Sequence, residues 1–419
     1  MAAAPESAGT GKGFIGWIDQ RFPLTKLWND HVAEYYAPKN FNFWYFFGAL
    51  SLLVLVNQLV TGIFLTMSYK PSQAEAFASI EYIMRDVEWG WLIRYMHTTG
   101  ASAFFIVVYL HMFRALLYGS HRKPRELVWI FGCLIFLLLM AEAFMGYVLP
   151  WGNVSYWGAQ VIVSLFSSLP VIGSTLVEWI RGDYNIADPT LNRFFALHVA
   201  ALPLALVFLV IAHIMALHEV GSNNPDGIDI KKYKDAEGHP LDGIPFHPYY
   251  TVKDLLGVTG FLLLFCGVIF FAPTFGGLFL ESPNFEPANA LQTPPHIAPV
   301  WYFTPFYAML RAVPSFAGTQ VWGVLVMGAS IVVLFFVPWL DRSPVLSIRY
   351  RGPIYKVMLT IFVFSFIALG ICGLKPPSGI YPTLAKVCTV LYFAFFLLMP
   401  WYTRFDSVKP VPERVTGHA

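Results

Sequence analysis

Charge is what this sequence has least of. Lys, Arg, Asp and Glu make up 12% of its 419 residues, about half the roughly 25% usual in soluble domains, and that scarcity excludes a soluble enzyme. Cysteine is scarce too: Cys133, Cys266, Cys372 and Cys388 are the only four. No two stand as C-x-x-C, so the chain can build no disulfide framework, zinc knuckle or iron–sulfur cluster of its own. C-x-x-C-H is absent as well, which excludes covalently attached haem. With a net charge of +2 and no basic patch interleaved with aromatics, nothing points to nucleic acid. The first 13 residues are small and polar, without the charged start and apolar core of a signal peptide.

What the chain has in excess is hydrophobic length. Uncharged intervals run over 40–69, 95–113, 194–218, 255–280, 312–340, 357–374 and 387–403, and an eighth, 127–149, is broken only by Glu142. Each is near the roughly 20 residues a helix needs to cross the hydrocarbon. The expected fold is therefore an all-α membrane protein of eight transmembrane helices. The stretch 154–177 is also uncharged, but Gly158, Pro170 and Gly173 interrupt it. With eight spans, the 27 Lys and Arg divide as 19 on the side of the termini and 8 on the other, placing both termini in the cytoplasm. A ninth span would move Lys231, Lys232, Lys234, Arg342, Arg349 and Arg351 to the wrong side, so 154–177 is expected to lie on the outer surface. Phe14 to His31 mixes Phe14, Trp17, Ile18, Phe22, Leu24 and Trp28 with charges, as an interfacial helix would.

These boundaries give a tail and interfacial helix over 1–40, a four-helix bundle with its outer-surface helices over 41–218, and a cytoplasmic loop over 219–254. Four further helices follow over 255–405, including an outer loop at 281–318, and 406–419 is a tail.

Four of the eleven histidines fall inside spans, where an ionisable residue marks function by default. On an ideal helix His97 and His111 lie about 21 Å apart and within about 40° of one face. His198 and His213 lie about 22 Å apart and within about 60° of one face. Because the second and fourth spans run in the same direction, His97 should face His198 near the outer surface, and His111 should face His213 near the inner one. Two opposed imidazoles at two depths suit two bis-histidine haems, which with both axial positions filled only pass electrons. Zinc suits less, wanting four ligands together; hydrogen bonding between helices is the bland alternative.

Glycines repeat the spacing. Gly48 and Gly62 on the first span and Gly132 and Gly146 on the third are each 14 apart, with Gly62 and Gly146 at the outer histidine level and Gly48 and Gly132 at the inner. A haem wedged between helices needs such close backbone approach, although small residues also simply pack spans. Arg94 and Arg114, each one turn from a histidine, could neutralise propionates or snorkel to the surface.

The stretches RYMHTTGASAFFIVVYLHMFRALLYGS (94–120), AFMGYVLPWGNVSYWGAQVI (143–162), RFFALHVAALP (193–203), HEVGSNNP (218–225) and PPHIAPVWYFTPFYAMLRAVP (294–314) closely resemble cytochrome b of the respiratory quinol:cytochrome c oxidoreductase, of proteobacterial type. The resemblance covers about residues 14–405. It implies two b-type haems, an outer site oxidising ubiquinol, an inner site reducing ubiquinone, a Rieske iron–sulfur protein and a c-type cytochrome as separate subunits, a homodimeric complex, and a bacterial inner membrane with its lipid. Electrons moving inward cross much of the membrane potential, worth about 2.3 kcal/mol per charge per 100 mV.

The same resemblance assigns Tyr147, Gly158, Trp301 and Tyr302 to the outer site, and His218, Ser222, Lys253 and Asp254 to the inner one. Thr251-x-x-Asp254 also has the pattern of a capping box. The sequence departs from its family twice. Val300 stands where a glutamate is usual, so quinol's proton needs another acceptor; Glu142, four residues before Gly146, is the candidate, since burial would make it a better base. Second, His198 and His213 are 15 apart rather than 14, as in the photosynthetic branch. The extra residue turns a helix by about 100°, so a kink or wide turn is expected near Pro203, which disrupts the local ladder.

Two other readings remain: a two-haem anchor serving a dehydrogenase, which would need neither the Pro299–Tyr302 segment nor the last three spans, and a transporter using the histidines as proton relays. Such folds often carry internal repeats, and none is found.

Overall fold

The structure, a computed structural model, describes residues 13–315 and 319–417. The expectation that the first 13 residues are not a signal peptide falls, but for Gly13, outside the described residues. In hydrocarbon every backbone polar group must be satisfied internally, and the uncharged intervals accordingly become helices: α1 (Phe46–Thr66), α2 (Gly90–Tyr118), α3 (Glu126–Val148), α4 (Asp188–Val220), α5 (Thr251–Phe271), α6 (Val321–Leu340), α7 (Pro353–Leu374) and α8 (Tyr381–Leu397, continued by Met399–Phe405). The first seven are long and apolar enough to cross a membrane, and α8 completes the eight expected spans when its two parts, bent by 59°, are counted together.

Both described chain ends lie on one face of the bundle, the terminal face. The opposite face, the loop face, carries two further helices, Asn153–Leu165 and Gly173–Arg181. An apolar cluster including Trp151, Tyr156, Val163, Val177, Leu191 and Phe194 ties them down. On the terminal face, Tyr36–Pro38 pairs antiparallel with Gly243–Pro245, Ala37 opposite Ile244, joining the segment before α1 to the loop after α4.

Helix α2 is the post of the bundle. At 29 residues it is about 43 Å long, and half of its apolar window is buried. It packs on α1 and α5, while α3 packs on α4 and α7 on α8. Gly119, at φ 70°, closes α2 in the left-handed region, which glycine enters at little cost. Helix α7 opens with Pro353 in its first turn. There the Asp406 carboxylate accepts from the backbone N–H groups of Ile354 (3.2 Å) and Tyr355 (2.9 Å), a cap supplied from the far end of the chain.

Helix α4 is not regular. Asp188–Ala196 passes into a single π turn at Leu197–Ala201, and α-helix resumes over Leu202–Val220. This is the wide turn expected beside Pro203. A π turn houses one extra residue, and a proline just after it has no N–H to miss from the widened ladder. The helix also begins six residues ahead of its uncharged interval, because its Asp188–Ala196 segment carries Asp188 in its first turn and Arg193 in its last. Two expectations need correction. Phe14–His31 is not one helix but two short ones, Phe14–Asp19 and Leu24–Trp28, divided before Pro23; its Phe14, Trp17 and Trp28 remain exposed. The Thr251–Asp254 capping box is not made: Tyr250 is the N-cap, without a side-chain bond, and the Thr251 hydroxyl lies 3.3 Å from His247 Nδ1 instead.

Candidate functional site

Helices α2 and α4 bring their histidines together at two depths. His97 faces His198 with ring centroids 6.2 Å apart, and His111 faces His213 at 6.3 Å. The rings are too far apart to bond to each other, yet both can reach one metal ion between them with bonds of about 2 Å. Without the π turn, fifteen residues would carry His213 off the face that His198 occupies.

Each of the four glycines abuts one of these imidazoles. A Cβ added at Gly48 would come 3.4 Å from His111 Cε1, at Gly62 3.3 Å from that of His97, at Gly132 3.5 Å from that of His213, and at Gly146 2.3 Å from that of His198. The walls beside each pair are thus backbone, and at Gly146 no side chain fits at all.

Hydrogen bonds orient the pair nearer the loop face. Thr61 Oγ1 donates its single proton to the Asn57 carbonyl (2.6 Å) and so accepts from His97 Nδ1 (2.9 Å). His198 Nδ1 donates to the Glu142 carbonyl oxygen (2.9 Å). With Nδ1 protonated on both rings, each Nε2 lone pair is left to bind a metal.

These two histidines line a cavity of about 750 Å³, with Gly62, Gly146 and Arg94 in its wall. The cavity continues past Tyr147, Asn284, Val300 and Tyr302, so one chamber contains both the first histidine level and two of the residues expected at the outer quinol site, Tyr147 and Tyr302. Arg94 is buried. At the second level Arg114 lies 3.3 Å from His111 Nδ1 and stacks over Tyr45 at 4.8 Å, while its Nε is buried without a partner. A cation beside each imidazole pair, Arg94 buried and Arg114 with a spare buried donor, fits an acidic cofactor. The donor set therefore fits haem: two imidazoles per level, glycine-thinned walls and one arginine per level. Among the described residues no group of three or more metal-ligating side chains forms.

The expected outer-site residues converge only partly. Tyr147 and Tyr302 line the chamber; Tyr302 stacks on Phe105 at 3.9 Å, and its carbonyl accepts from the Tyr109 hydroxyl at 2.7 Å. Gly158 is buried with open space where a Cβ would stand. Trp301 turns its indole N–H to Ser102 Oγ at 3.1 Å and so anchors the segment. Glu142, the sequence candidate for proton acceptance, lines the chamber; its Oε1 lies 3.0 Å from His198 Nδ1, and its Oε2 is buried without a partner.

At the terminal face, His218 and Ser222 are joined by Tyr35, which sequence reasoning missed. Its ring stacks on His218 at 4.5 Å, and its hydroxyl lies 2.9 Å from Ser222 Oγ. Lys253 donates to the Phe41 carbonyl at 2.7 Å, and Asp254 interacts with Lys253 beside it. Asn284, Glu281 and Thr61 were missed as well. Only an acid and an amide in an outer loop hinted at the first two, and a hydroxyl one residue from Gly62 at the third.

Two family models match the chain: Cytochrome b/b6/petB over residues 32–221 and Cytochrome b(C-terminal)/b6/petD over residues 287–393. It is 64% identical over 407 residues to cytochrome b of Allochromatium vinosum, covering 96% of this chain and 98% of that one. Against cytochrome b of Rickettsia prowazekii it is 49% identical, covering 96% and 97%. Among solved structures it resembles a chain of a hyperthermophilic respiratory Complex III, with a TM-score of 0.85, 39% identity and coverage of 92% of this chain and 98% of that one. Paired histidines at two depths of an eight-helix bundle define the class, a membrane cytochrome. Within it, the chain belongs to the cytochrome b/b6 family.

Proposed function

We propose that this chain is the cytochrome b subunit of a ubiquinol:cytochrome c oxidoreductase, a proton-translocating complex of the bacterial inner membrane. The loop face is the outer side, and both termini are cytoplasmic. Quinol is oxidised in the chamber lined by Tyr147, Val300 and Tyr302, with Gly158 and Trp301 as further residues of that site, and its protons leave on that side. Quinone is reduced at the terminal face among His218, Ser222, Lys253 and Asp254, with protons taken from the cytoplasm. His97 and His198 would hold one b-type haem and His111 and His213 a second, with Arg94 and Arg114 facing the propionates; when bound, the haems supply one-electron carriage between the two sites. Because the chain has no C-x-x-C pair, a Rieske iron–sulfur protein and a c-type cytochrome must come as partner subunits, in a complex that is a homodimer.

The observation that carries this reading is the pair of imidazole gaps, 6.2 and 6.3 Å, each walled by two glycines. Thr61 and the Glu142 carbonyl hold the outer imidazoles in the ligating tautomer, and the π turn of α4 keeps His213 on the ligand face. The test is a reduced-minus-oxidised spectrum of the purified complex together with quinol-to-cytochrome c turnover. Two b-type haems per chain and quinol-dependent turnover are expected; a single haem, or none, sinks the reading.

A further inference from the structure

Val300 leaves the outer chamber without the acid its family carries in that segment, and Glu142 turns one carboxylate oxygen to His198. The structure offers another carboxylate. Glu281 stands ten residues beyond the end of α5, at the head of the turn Ser282–Phe285, and is partly buried. Asn284 holds it: one amide nitrogen, Nδ2, donates to Glu281 Oε2 at 3.0 Å and to the Tyr147 hydroxyl at 2.9 Å. Asn284 is itself fixed, its Oδ1 accepting from the Ser155 backbone N–H at 2.8 Å and its backbone pressing on Gly152. The groups acting on the Glu281 carboxylate are backbone, Asn284 and Tyr147, and none is a cation. A shielded acid without a cation is costly as structure.

Tyr147 and Asn284 line the chamber, whereas Glu281 stands behind them. A phenol with one side in the chamber and the other against a carboxylate is a one-step proton relay. We propose that Glu281 is the terminal proton acceptor of the outer quinol site, reached from the substrate through the Tyr147 hydroxyl and held in register by Asn284. This deepens the proposed function and rests on it.

The step balances. Oxidation of one quinol to quinone releases two electrons and two protons. The electrons leave to the two one-electron acceptors of that reading, the partner iron–sulfur protein and the outer haem. One quinol O–H bond breaks as its proton passes to the Tyr147 oxygen, and the Tyr147 proton passes to Glu281, which becomes the neutral acid. The other proton leaves with the iron–sulfur partner.

Burial pushes the Glu281 carboxyl up to about 7, against the hydrogen bonds from the backbone, Asn284 and Tyr147. The titratable groups facing it are Tyr147 of α3 and Tyr302 of the Trp301–Phe303 turn. Burial raises the Tyr302 hydroxyl far above neutrality. The carboxylate must be ionised to accept, so turnover should rise as pH rises through about 7.

The experiment uses the intact complex at matched haem content, with a short-chain ubiquinol as donor and cytochrome c as acceptor. Glu281→Gln should lower turnover by roughly a hundredfold and flatten the pH limb near 7, while Glu281→Asp retains the limb at reduced rate. Wild-type turnover with an unchanged limb in Glu281→Gln overturns the proposal. If that variant does not assemble, Tyr147→Phe carries the test: loss of the same limb supports the relay, and an unchanged profile overturns it. A wild-type complex without quinol turnover or without two b-type haems sinks the functional reading itself, an outcome that no Glu281 variant can mimic.

Discussion

Gly146 is the tightest of the four glycines that abut the paired histidines. A methyl there would sit 2.3 Å from His198 Cε1, whereas at Gly62 the matching distance from His97 is 3.3 Å. The first is an impossible contact that moves the imidazole; the second asks for a few tenths of an ångström. Gly146→Ala should therefore lose the outer haem and keep the inner one, and Gly62→Ala should keep both. A difference spectrum at fixed protein concentration checks this, and equal haem content in both variants would contradict it. The chemistry of this level extends beyond the ligands to Thr61 and the Glu142 carbonyl, which fix the tautomer of each ring.

Helix α4 solves a register problem with one π turn. Fifteen residues on a regular helix would miss the shared face by about 60°, so the turn at Leu197–Ala201 absorbs one residue between His198 and His213. Deleting Ala200 together with Pro203→Ala should convert the turn to α-helix and restore a spacing of fourteen, keeping both haems. The proline must go as well, since inside a regular helix it costs about 3 kcal/mol. Deleting Phe208 instead, beyond the turn, leaves the π turn in place and rotates His213 by about 100°; the inner haem alone should be lost. Spectra of both deletions, each with the outer haem as internal reference, decide the point.

Three aspartates staple the terminal face, and none was singled out from the sequence. Asp341 bonds His121 Nε2 at 3.0 Å and Arg351 at 2.6 Å, tying the turn after α2 to the segment between α6 and α7. Asp226 joins Asn40 (3.0 Å), Arg349 (2.8 Å), Tyr350 (2.9 Å) and Thr416 (2.9 Å). Asp242 joins Lys39 (3.0 Å) and Arg414 (2.7 Å). Burial opposes ionisation of all three, yet the hydrogen bonds and cations around them hold each carboxyl below the usual range. A folded pKa below the unfolded one of about 3.9 means stability that is full at neutral pH and lost as pH falls through the folded values. Detergent-solubilised protein should therefore unfold more readily below about pH 4, as circular dichroism melts would record. Asp341→Asn leaves Arg351 buried and half-paired, and should cost roughly 3–5 kcal/mol even at pH 7; an unchanged melting temperature would refute this.

Span number, the histidine pairs and their glycines were readable in one dimension because each follows from a local rule. Twenty apolar residues cross a bilayer, and one helical period carries side chains fourteen apart to nearly the same face. Even the wide turn near Pro203 announced itself as a misfit of one residue. The contacts that make the sites work were hidden because they close over long stretches of chain: Asn284 reaches Tyr147 across 137 positions, and Tyr35 reaches Ser222 across 187. No periodicity links such residues. Glu142 showed the same limit, since its place on the right face was legible while its engagement with His198 depended on how α3 packs against α4. Composition and spacing chose the membrane, the helices and the pairing of the histidines, because lipid and the helical repeat act on neighbouring residues. Packing alone chose the partner of each buried acid, because a carboxylate in low dielectric is settled by whatever donor the folded chain brings within 3 Å.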